Sequence, residues 1–490
     1  MKKWLRMALC AALMVTAMTV SAFADETLIA PNPNAAPQGD FLVLVNGELV
    51  TFTDAVPKIK NDRSCLPFVA VFEQLGFAEK DMTWDGDTKT VTATKGDTTI
   101  SLTIGKNEIV LTKAGQTEVI PTDVAPYIEP ALSRTYIPFG LVADALDYAV
   151  GWDADDRAVI IDDVDAIFAA NDATYELMEK YMDYNYSFAQ KNQNVNGGYT
   201  MYMGIVDPTS NMEFLLNGEY AMTMANSTAI QFDTDMVVDA SMVVDGEDLL
   251  AGTDSGLPMA IDMELRGDLN TGLFYFQSAA LADSMGQSDM ASAWYKLDMA
   301  SLFDELGSVL GMDYAGLMAL STQAADMEFE EYLAAIIKAM PLTDMNMTTS
   351  DSLAMYNLLF ADASFTRSGS KYVNEIPLAE LAGIEEALDA TMNFTIFTNS
   401  SGSKVNGYSM TMDIAEESAG VAMSMDVSME EDEMLADISM GIGMEDSMIQ
   451  LNMSIGGTYQ PTSAAPATEP PAGAVIIDLM AAVEEAVPAA

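Results

Sequence analysis

The chain has 490 residues, more than one ordinary hydrophobic core accommodates, so two or three domains are expected. Its formal charge of −53 repels phosphates, which argues against nucleic acid and anionic membranes as partners. Histidine is absent, which excludes Ser-His and Cys-His nucleophile systems and nearly all zinc and type-2 copper sites.

The first 24 residues have the pattern of a secretory signal peptide. The basic segment MKKWLR precedes the apolar run MALCAALMVTAMTV, and SAFA ends in the small-x-small sequence that signal peptidase cuts. We therefore expect a secreted, extracellular protein, with cell-wall association as an alternative. No later run of about 18 apolar residues is present, so no transmembrane segment is predicted. Residues 25–40 are polar and rich in Pro and Ala, which predicts a disordered leader.

Cysteine use excludes an intramolecular disulfide after cleavage. Cys10 lies in the signal peptide, which leaves Cys65 as the one remaining thiol. Because Cys65 lies in an apolar stretch, it is predicted to pack as a small hydrophobic side chain.

Residues 41–163 alternate strand patterns with two short helices. FLVLVNGELVTF predicts a hairpin with Asn46-Gly47 at the turn, and KTVTATK, TTISLTIG and NEIVLTK predict the strands that follow. One motif occurs twice in this segment. Its repeated positions are Arg63, Pro67, Trp84 and Asp85 in the first copy, and Arg134, Pro138, Trp152 and Asp153 in the second.

Each repeated residue has a structural role that accounts for it. Pro67 and Pro138 suit the first turn of a helix, and the tryptophans are predicted to bury a large surface at the start of a strand. The aspartates suit the tight turn that comes next. The helices after the prolines carry apolar residues at i and i+4, namely Val71 and Leu75, then Val142 and Leu146.

These motifs resemble the copper amine oxidase-like N-terminal domain, a duplicated α/β module common in secreted proteins of Gram-positive bacteria. The resemblance covers about residues 41–163 and implies a cell-envelope or extracellular module. It does not imply amine oxidase activity, because that reaction requires histidine copper ligands and this chain has no histidine.

Residues 164–458 are rich in methionine, and most of their apolar residues alternate with polar ones. This period of two predicts an antiparallel β-meander that follows a helix over 163–192 and is interrupted by a mainly helical segment over 301–390. The helices inserted in the middle would cover its apolar face. The expected fold class is α+β: a duplicated small α/β module, then a β-rich meander with inserted helices, with a half-barrel as a candidate shape. Residues 459–490 predict a Pro/Ala linker and a short C-terminal helix. The meander is similar to the LolA/LppX-type half-barrel of lipoprotein and lipid carriers.

Three interpretations of the methionine-rich strands remain open. Methionine fills irregular cores, lines pliable cavities for lipids or other hydrophobic ligands, and binds Cu(I) through its thioether. The candidate ligand-facing residues are Met410, Met412, Met423, Met425 and Met440. No residue is predicted to be catalytic, to bind a cofactor or to ligate a metal, and no cofactor is expected.

The expected function is that of a secreted, non-catalytic envelope protein used for scaffolding or binding, with a C-terminal domain that holds a hydrophobic ligand. A module that binds cell-wall polymer is the alternative, and a Cu(I)-binding protein is the second alternative. The chain has too many acidic residues to single out a carboxylate pair for glycoside hydrolysis, and it lacks a Gly-x-Ser-x-Gly motif.

Overall fold

The computed structural model describes residues 39–61, 63–146, 148–153, 157–189, 191–207, 210–225, 228–244, 247–250, 257–284, 288–303, 314–323, 327–339, 348–378, 389–416, 421–444 and 447–479. The predicted signal peptide, most of the predicted leader and residues 480–490 of the predicted C-terminal helix lie outside these ranges. The described chain forms two compact units. The N-terminal unit takes its residues from 39–172 and 330–356, and the β-rich unit takes its residues from 173–329 and 357–479.

The N-terminal unit contains thirteen short strands and three helices of its own. The strands are β1 Leu42–Val45, β2 Glu48–Leu49, β3 Lys58–Lys60, β4 Arg63–Pro67, β5 Met82–Asp85, β6 Thr90–Lys95, β7 Thr98–Thr103, β8 Glu108–Lys113, β9 Gln116–Pro121, β10 Tyr127–Glu129, β11 Arg134–Pro138, β12 Ala149–Asp153 and β13 Ala158–Asp162. The helices are α1 Phe68–Gln74, α2 Phe139–Ala145 and α3 Val164–Ala169. The strands form three sheets, in the orders β12-β13-β1-β2, β10-β11-β4-β3 and β5-β6-β7-β8-β9.

The two copies of the repeated motif share one core. Strands β4 and β11 pair antiparallel, with Leu66 opposite Ile137. Helices α1 and α2 each follow one of these strands and bury Phe72 and Phe139 in the same apolar cluster. The predicted hairpin is confirmed, because β1 and β2 pair antiparallel and Asn46 has φ 50° at the turn.

The β-rich unit is built on one fifteen-stranded sheet. Its strands are β14 Asn192–Val206, β15 Ser210–Ala225, β16 Ala229–Val244, β17 Glu247–Asp248, β18 Met259–Asp268, β19 Leu273–Gln277, β20 Trp294–Asp298, β21 Thr366–Ser368, β22 Lys371–Pro377, β23 Asp389–Thr398, β24 Val405–Glu416, β25 Val421–Glu430, β26 Glu433–Met444, β27 Ser447–Thr462 and β28 Ile476–Asp478. The order is β21-β22-β23-β24-β25-β26-β27-β14-β15-β16-β18-β19-β20-β28, and β17 pairs with β16. All neighbours are antiparallel except β20 and β28, which are parallel.

Five further helices follow residue 175 in the part of the chain that the structure describes. They are α4 Glu176–Ala189, α5 Ala279–Ser284, α6 Tyr314–Gln323, α7 Phe329–Ala339 and α8 Thr349–Phe360. The division between the two units falls within α7 and α8. A large antiparallel sheet combined with these helices confirms the predicted α+β class.

Several elements differ from the sequence expectations. The helix expected over 163–192 is divided into α3 and α4. The described residues of 330–356 belong to the N-terminal unit, where Lys338 pairs with Asp165 at 2.8 Å. The start of the expected C-terminal helix is strand β28, because the apolar pair Ile476-Ile477 adds to the edge of the sheet beside β20.

Candidate functional site

The large sheet of the β-rich unit has one apolar face and one polar face. Antiparallel pairing places directly opposed residues on the same face, so the registers of successive strands define both faces. Met412 lies opposite Met425, Met423 opposite Met440, and Met201 opposite Met453. We call the side that carries these residues the Met-lined face.

The five candidate ligand-facing methionines all lie on the Met-lined face. Met410 and Met412 are on β24, Met423 and Met425 on β25, and Met440 on β26. All five are half-buried, so they form neither a closed core nor open surface. The structure therefore brings the sequence candidates together, and their binding role stays a prediction.

One part of the Met-lined face is covered by helix α4. The ring of Tyr181 packs edge-on against Phe394 at 5.5 Å and against Tyr408 at 5.1 Å between ring centroids. The hydroxyl of Tyr184 donates to the Glu431 carbonyl at 3.1 Å. Phe394 is 4% exposed, so this part is a packed core.

Burial disfavours the ionised form of two tyrosines in this packed region. It raises the pKa of Tyr459 to about 12 and also raises the pKa of Tyr181, because a phenolate loses its hydration in an apolar site.

Another part of the Met-lined face consists of half-exposed or exposed residues, and we call it the open band. It consists of Met410, Met412 and Ile414 on β24, Met423, Met425 and Val427 on β25, Ala436, Ile438, Met440 and Ile442 on β26, Ile449, Leu451, Met453 and Ile455 on β27, Met201, Met203 and Ile205 on β14, Met212, Phe214 and Leu216 on β15, and Met236, Ala240 and Met242 on β16.

The most exposed side chains of the open band lie close together. Met203 is 44% exposed, Met212 48% and Met453 37%. Ile205 lies directly opposite Met212, and Met203 lies opposite Phe214. Contiguous exposed apolar surface of this kind typically marks an interaction site, whereas single exposed apolar residues do not.

The polar face of the sheet carries hydroxyl, amide and carboxylate side chains. A groove of about 440 Å³ on this face is lined by residues that include Tyr202, Asp426 and Asn452. A second groove, of about 890 Å³, is lined by residues that include Glu219 and Asp262. Binding of a cell-wall polymer stays a prediction, since hydroxyls and carboxylates alone do not select one.

The repeated arginines of the N-terminal unit form exchanged ion pairs. Arg63 of the first copy pairs with Asp123, which precedes the second copy, and Arg134 pairs with Asp54, which precedes the first. Sequence reasoning missed both aspartates, although the segments TDAVPKI and TDVAPYI that contain them are themselves repeated. The four side chains are about half exposed, so these pairs orient the two copies more than they stabilise the fold.

The other repeated residues have mostly structural roles. Pro67 and Pro138 end strands β4 and β11, directly before their helices and not within the first turn. The Asp85 carboxylate accepts the Asp87 N–H at 2.9 Å and so closes the predicted turn.

The two tryptophans differ, and two expectations about them are wrong. Neither begins a strand, because Trp84 is the third residue of β5 and Trp152 the fourth of β12. Trp152 contacts Phe41 edge-on at 5.9 Å and packs against the core. Trp84 is 47% exposed, because β5 lies at the edge of its sheet and the indole has no covering layer. The second-copy turn residue Asp153 ends strand β12.

No group of three or more cysteine, aspartate or glutamate side chains in the described residues is placed to hold a metal ion. No helix in the same ranges is long and apolar enough to cross a membrane. The Cu(I) interpretation of the paired methionines stays a prediction.

The N-terminal unit matches a known domain family. Residues 44–161 match the family model of the copper amine oxidase N-terminal domain. This match confirms the resemblance inferred from the repeated motifs, and the matched domain is not the catalytic domain of those oxidases. No curated protein sequence matches the chain.

Two solved structures are similar to parts of the chain at 6% identity. One is Ail, the attachment invasion locus protein of Yersinia pestis, in complex with the heparin analogue sucrose octasulfate. The match covers 55% of this chain and 99% of Ail with a TM-score of 0.13. The other is lipovitellin, in a structure that concerns its lipid–protein interactions; the match covers 57% of this chain and 28% of lipovitellin with a TM-score of 0.20. TM-scores this low do not establish a shared fold. The resemblance to LolA-type carriers stays a prediction.

Proposed function

We propose that this chain is a secreted, non-catalytic protein of the cell envelope whose β-rich unit binds a hydrophobic ligand on the open band. The open band carries this proposal, because it is a continuous apolar surface that neighbouring elements leave half-exposed. Methionine suits such a surface, since its unbranched thioether side chain adapts to ligands of different shape.

The N-terminal unit supports a role outside catalysis. Its matched family is a non-catalytic domain, and its repeated residues are occupied by packing, turns and the exchanged ion pairs. We propose that this unit serves as the scaffold that holds the β-rich unit in the envelope. If the protein is exported as proposed, the form recovered outside the cells of its host begins at Asp25, which N-terminal sequencing would show.

Ligand binding is tested with a neutral amphiphile. Dodecyl maltoside, kept below its micelle concentration and titrated calorimetrically, is expected to bind the full chain. The double variant Met203→Ser/Met212→Ser removes two of the most exposed apolar side chains of the open band, so we expect its affinity to fall at least about tenfold.

A matched control is available on the opposite side of the same sheet. Val237 is 45% exposed and lies on the polar face, directly opposite Asn217. Val237→Ser should therefore bind the amphiphile as the wild type does. Equal binding by all three proteins, or none by the wild type, would rule out the open band as the site.

A further inference from the structure

The open band is uncharged, and within the described residues its side chains stay half-exposed or exposed. The strand registers place neighbouring carboxylates on the polar face, where Asp426 lies directly opposite Asp437 and Asp413 directly opposite Ser424. An antiparallel sheet with one apolar and one polar face is stabilised by a second layer that buries the apolar face. Helix α4 supplies such a layer beside the open band, so the band itself calls for an apolar, uncharged partner layer.

The dimensions of the open band favour an occupant broader than a single acyl chain. Its seven neighbouring strands, at about 4.8 Å spacing, give a width of roughly 29 Å. Three or four alternating residues per strand extend roughly 15–20 Å along the strands. Face-to-face contact of two such bands would bury roughly 900–1,200 Å² in total. A specific protein interface buries at least about 1,000 Å², so this area suits a weak dimer.

We propose that the open band is the interface of a symmetric dimer, in which a second copy of this chain packs its own open band against the first. Two sheets that pack face to face lie about 10 Å apart, with apolar inner faces and polar outer faces. The sheet of the β-rich unit has this pattern. Methionine suits the contact because its flexible side chain adapts to its neighbours. A two-fold axis closes the interface, so association stops at the dimer.

The charge of the chain determines the conditions for dimerisation. Two copies that each carry a formal charge of −53 repel one another. In the dimer the carboxylates of the two polar faces would point outward from two stacked sheets, roughly 20 Å or more apart. The Debye length is about 8 Å at 0.15 M salt and about 30 Å at 0.01 M. We therefore expect dimerisation to strengthen as the salt concentration rises across that range.

Sedimentation velocity of the full chain, at about 1–100 µM and about 0.15 M salt, tests the proposal. Met453 is 37% exposed and lies on β27, the central strand of the seven. Met453→Glu would place a charge in the middle of the interface, so we expect the dissociation constant of the dimer to rise at least about tenfold. Val237→Glu is the matched control, because it adds the same charge to the polar face at a side chain 45% exposed. It should dimerise as the wild type does.

Folding of the variants is verified separately. The midpoint of thermal unfolding at about 0.01 M salt, where repulsion favours monomers, should be the same for Met453→Glu and the wild type. Met203→Ser/Met212→Ser introduces no charge and should weaken the dimer in the same direction. A wild type that stays monomeric at about 100 µM would overturn the inference, as would equal dimerisation of Met453→Glu. Growth beyond the dimer would also overturn it, because a two-fold interface is closed.

This inference goes beyond the proposed function, and dodecyl maltoside separates the two. If the amphiphile binds the open band and the chain stays monomeric, the dimer inference fails and the proposed function stands. If the dimer forms through the band and the amphiphile does not bind, the proposed function fails and the dimer stands. Displacement of the second copy by the amphiphile, seen as a dissociation constant at least about tenfold higher, would support both.

Discussion

Asp162 is a fully buried carboxyl group at the end of strand β13 in the N-terminal unit. It accepts the backbone N–H of Thr349 at 2.9 Å and so satisfies a donor at the start of helix α8. Burial raises the pKa of Asp162 above its ordinary value of 3.8 despite this hydrogen bond. Folding therefore favours the protonated form of this side chain.

The sign of this pKa shift predicts a pH dependence. A carboxyl whose pKa is raised by folding binds protons more readily in the folded state, so its contribution to stability is lost as the pH rises from 3.8 through the raised value. Asp162→Asn keeps an oxygen acceptor and cannot ionise. We expect this variant to be at least as stable as the wild type at pH 7 and to show a flatter decline of the free energy of unfolding across that pH range.

The control for Asp162 is Asp165→Asn in the same unit. The Asp165 side chain is 72% exposed and pairs with Lys338, so its loss should change stability by less than about 1 kcal/mol. Chemical denaturation at several pH values measures both variants. A loss of more than about 1 kcal/mol in Asp162→Asn at pH 7 would show that the ionised carboxylate stabilises the unit.

At the scale of elements, aromatic rings cover glycines on neighbouring strands. The Tyr220 hydroxyl on β15 donates to the Gly456 carbonyl on β27 at 3.2 Å, with its ring stacked on Phe232. A Cβ atom at Gly457 would collide with that hydroxyl. Strands β15 and β27 flank β14, and the contact of Tyr220 with β27 therefore depends on a glycine at position 457.

Gly457→Ala tests this dependence. The new methyl group must displace Tyr220, which is 6% exposed, so we expect the variant to lose roughly 1–3 kcal/mol of stability. Gly441→Ala is the matched control on β26, because the nearest atom to its new Cβ would lie 4.0 Å away. Thermal unfolding of both variants measures the difference, and equal stability of the two would contradict the account.

Sequence periodicity predicted the faces of the strands but not what covers them. Alternation placed Met410, Met412, Met423, Met425 and Met440 on one side of the sheet, because side chains of a strand point alternately to its two faces. Whether such a face is buried depends on elements that are distant in the sequence. Helix α4 packs on one part of this face and leaves the open band beside it uncovered. For the same reason, the pattern could not show that Trp84 is exposed or that residues 330–356 join the N-terminal unit.

At the scale of the whole molecule, the chain combines a domain that matches the non-catalytic copper amine oxidase N-terminal domain with a large amphipathic sheet. The formal charge of −53 keeps such a protein dispersed despite its exposed apolar side chains. The charge also restricts the ligands that the open band accepts, since approach of an anionic amphiphile costs electrostatic energy. The amphipathic sheet and the charge together support the binding role proposed for the β-rich unit.

The most direct test of the open band as the binding site is methionine oxidation footprinting. Dilute peroxide oxidises accessible thioethers, and Met203, Met212 and Met453 of the open band are about as exposed as Met448, which lies on the polar face at 44%. Mass spectrometry with and without bound dodecyl maltoside would follow all four. We predict slower oxidation of Met203, Met212 and Met453 in the complex and an unchanged rate for Met448. Protection of Met448 alone, or of none of the four while the amphiphile is bound, would contradict the assignment.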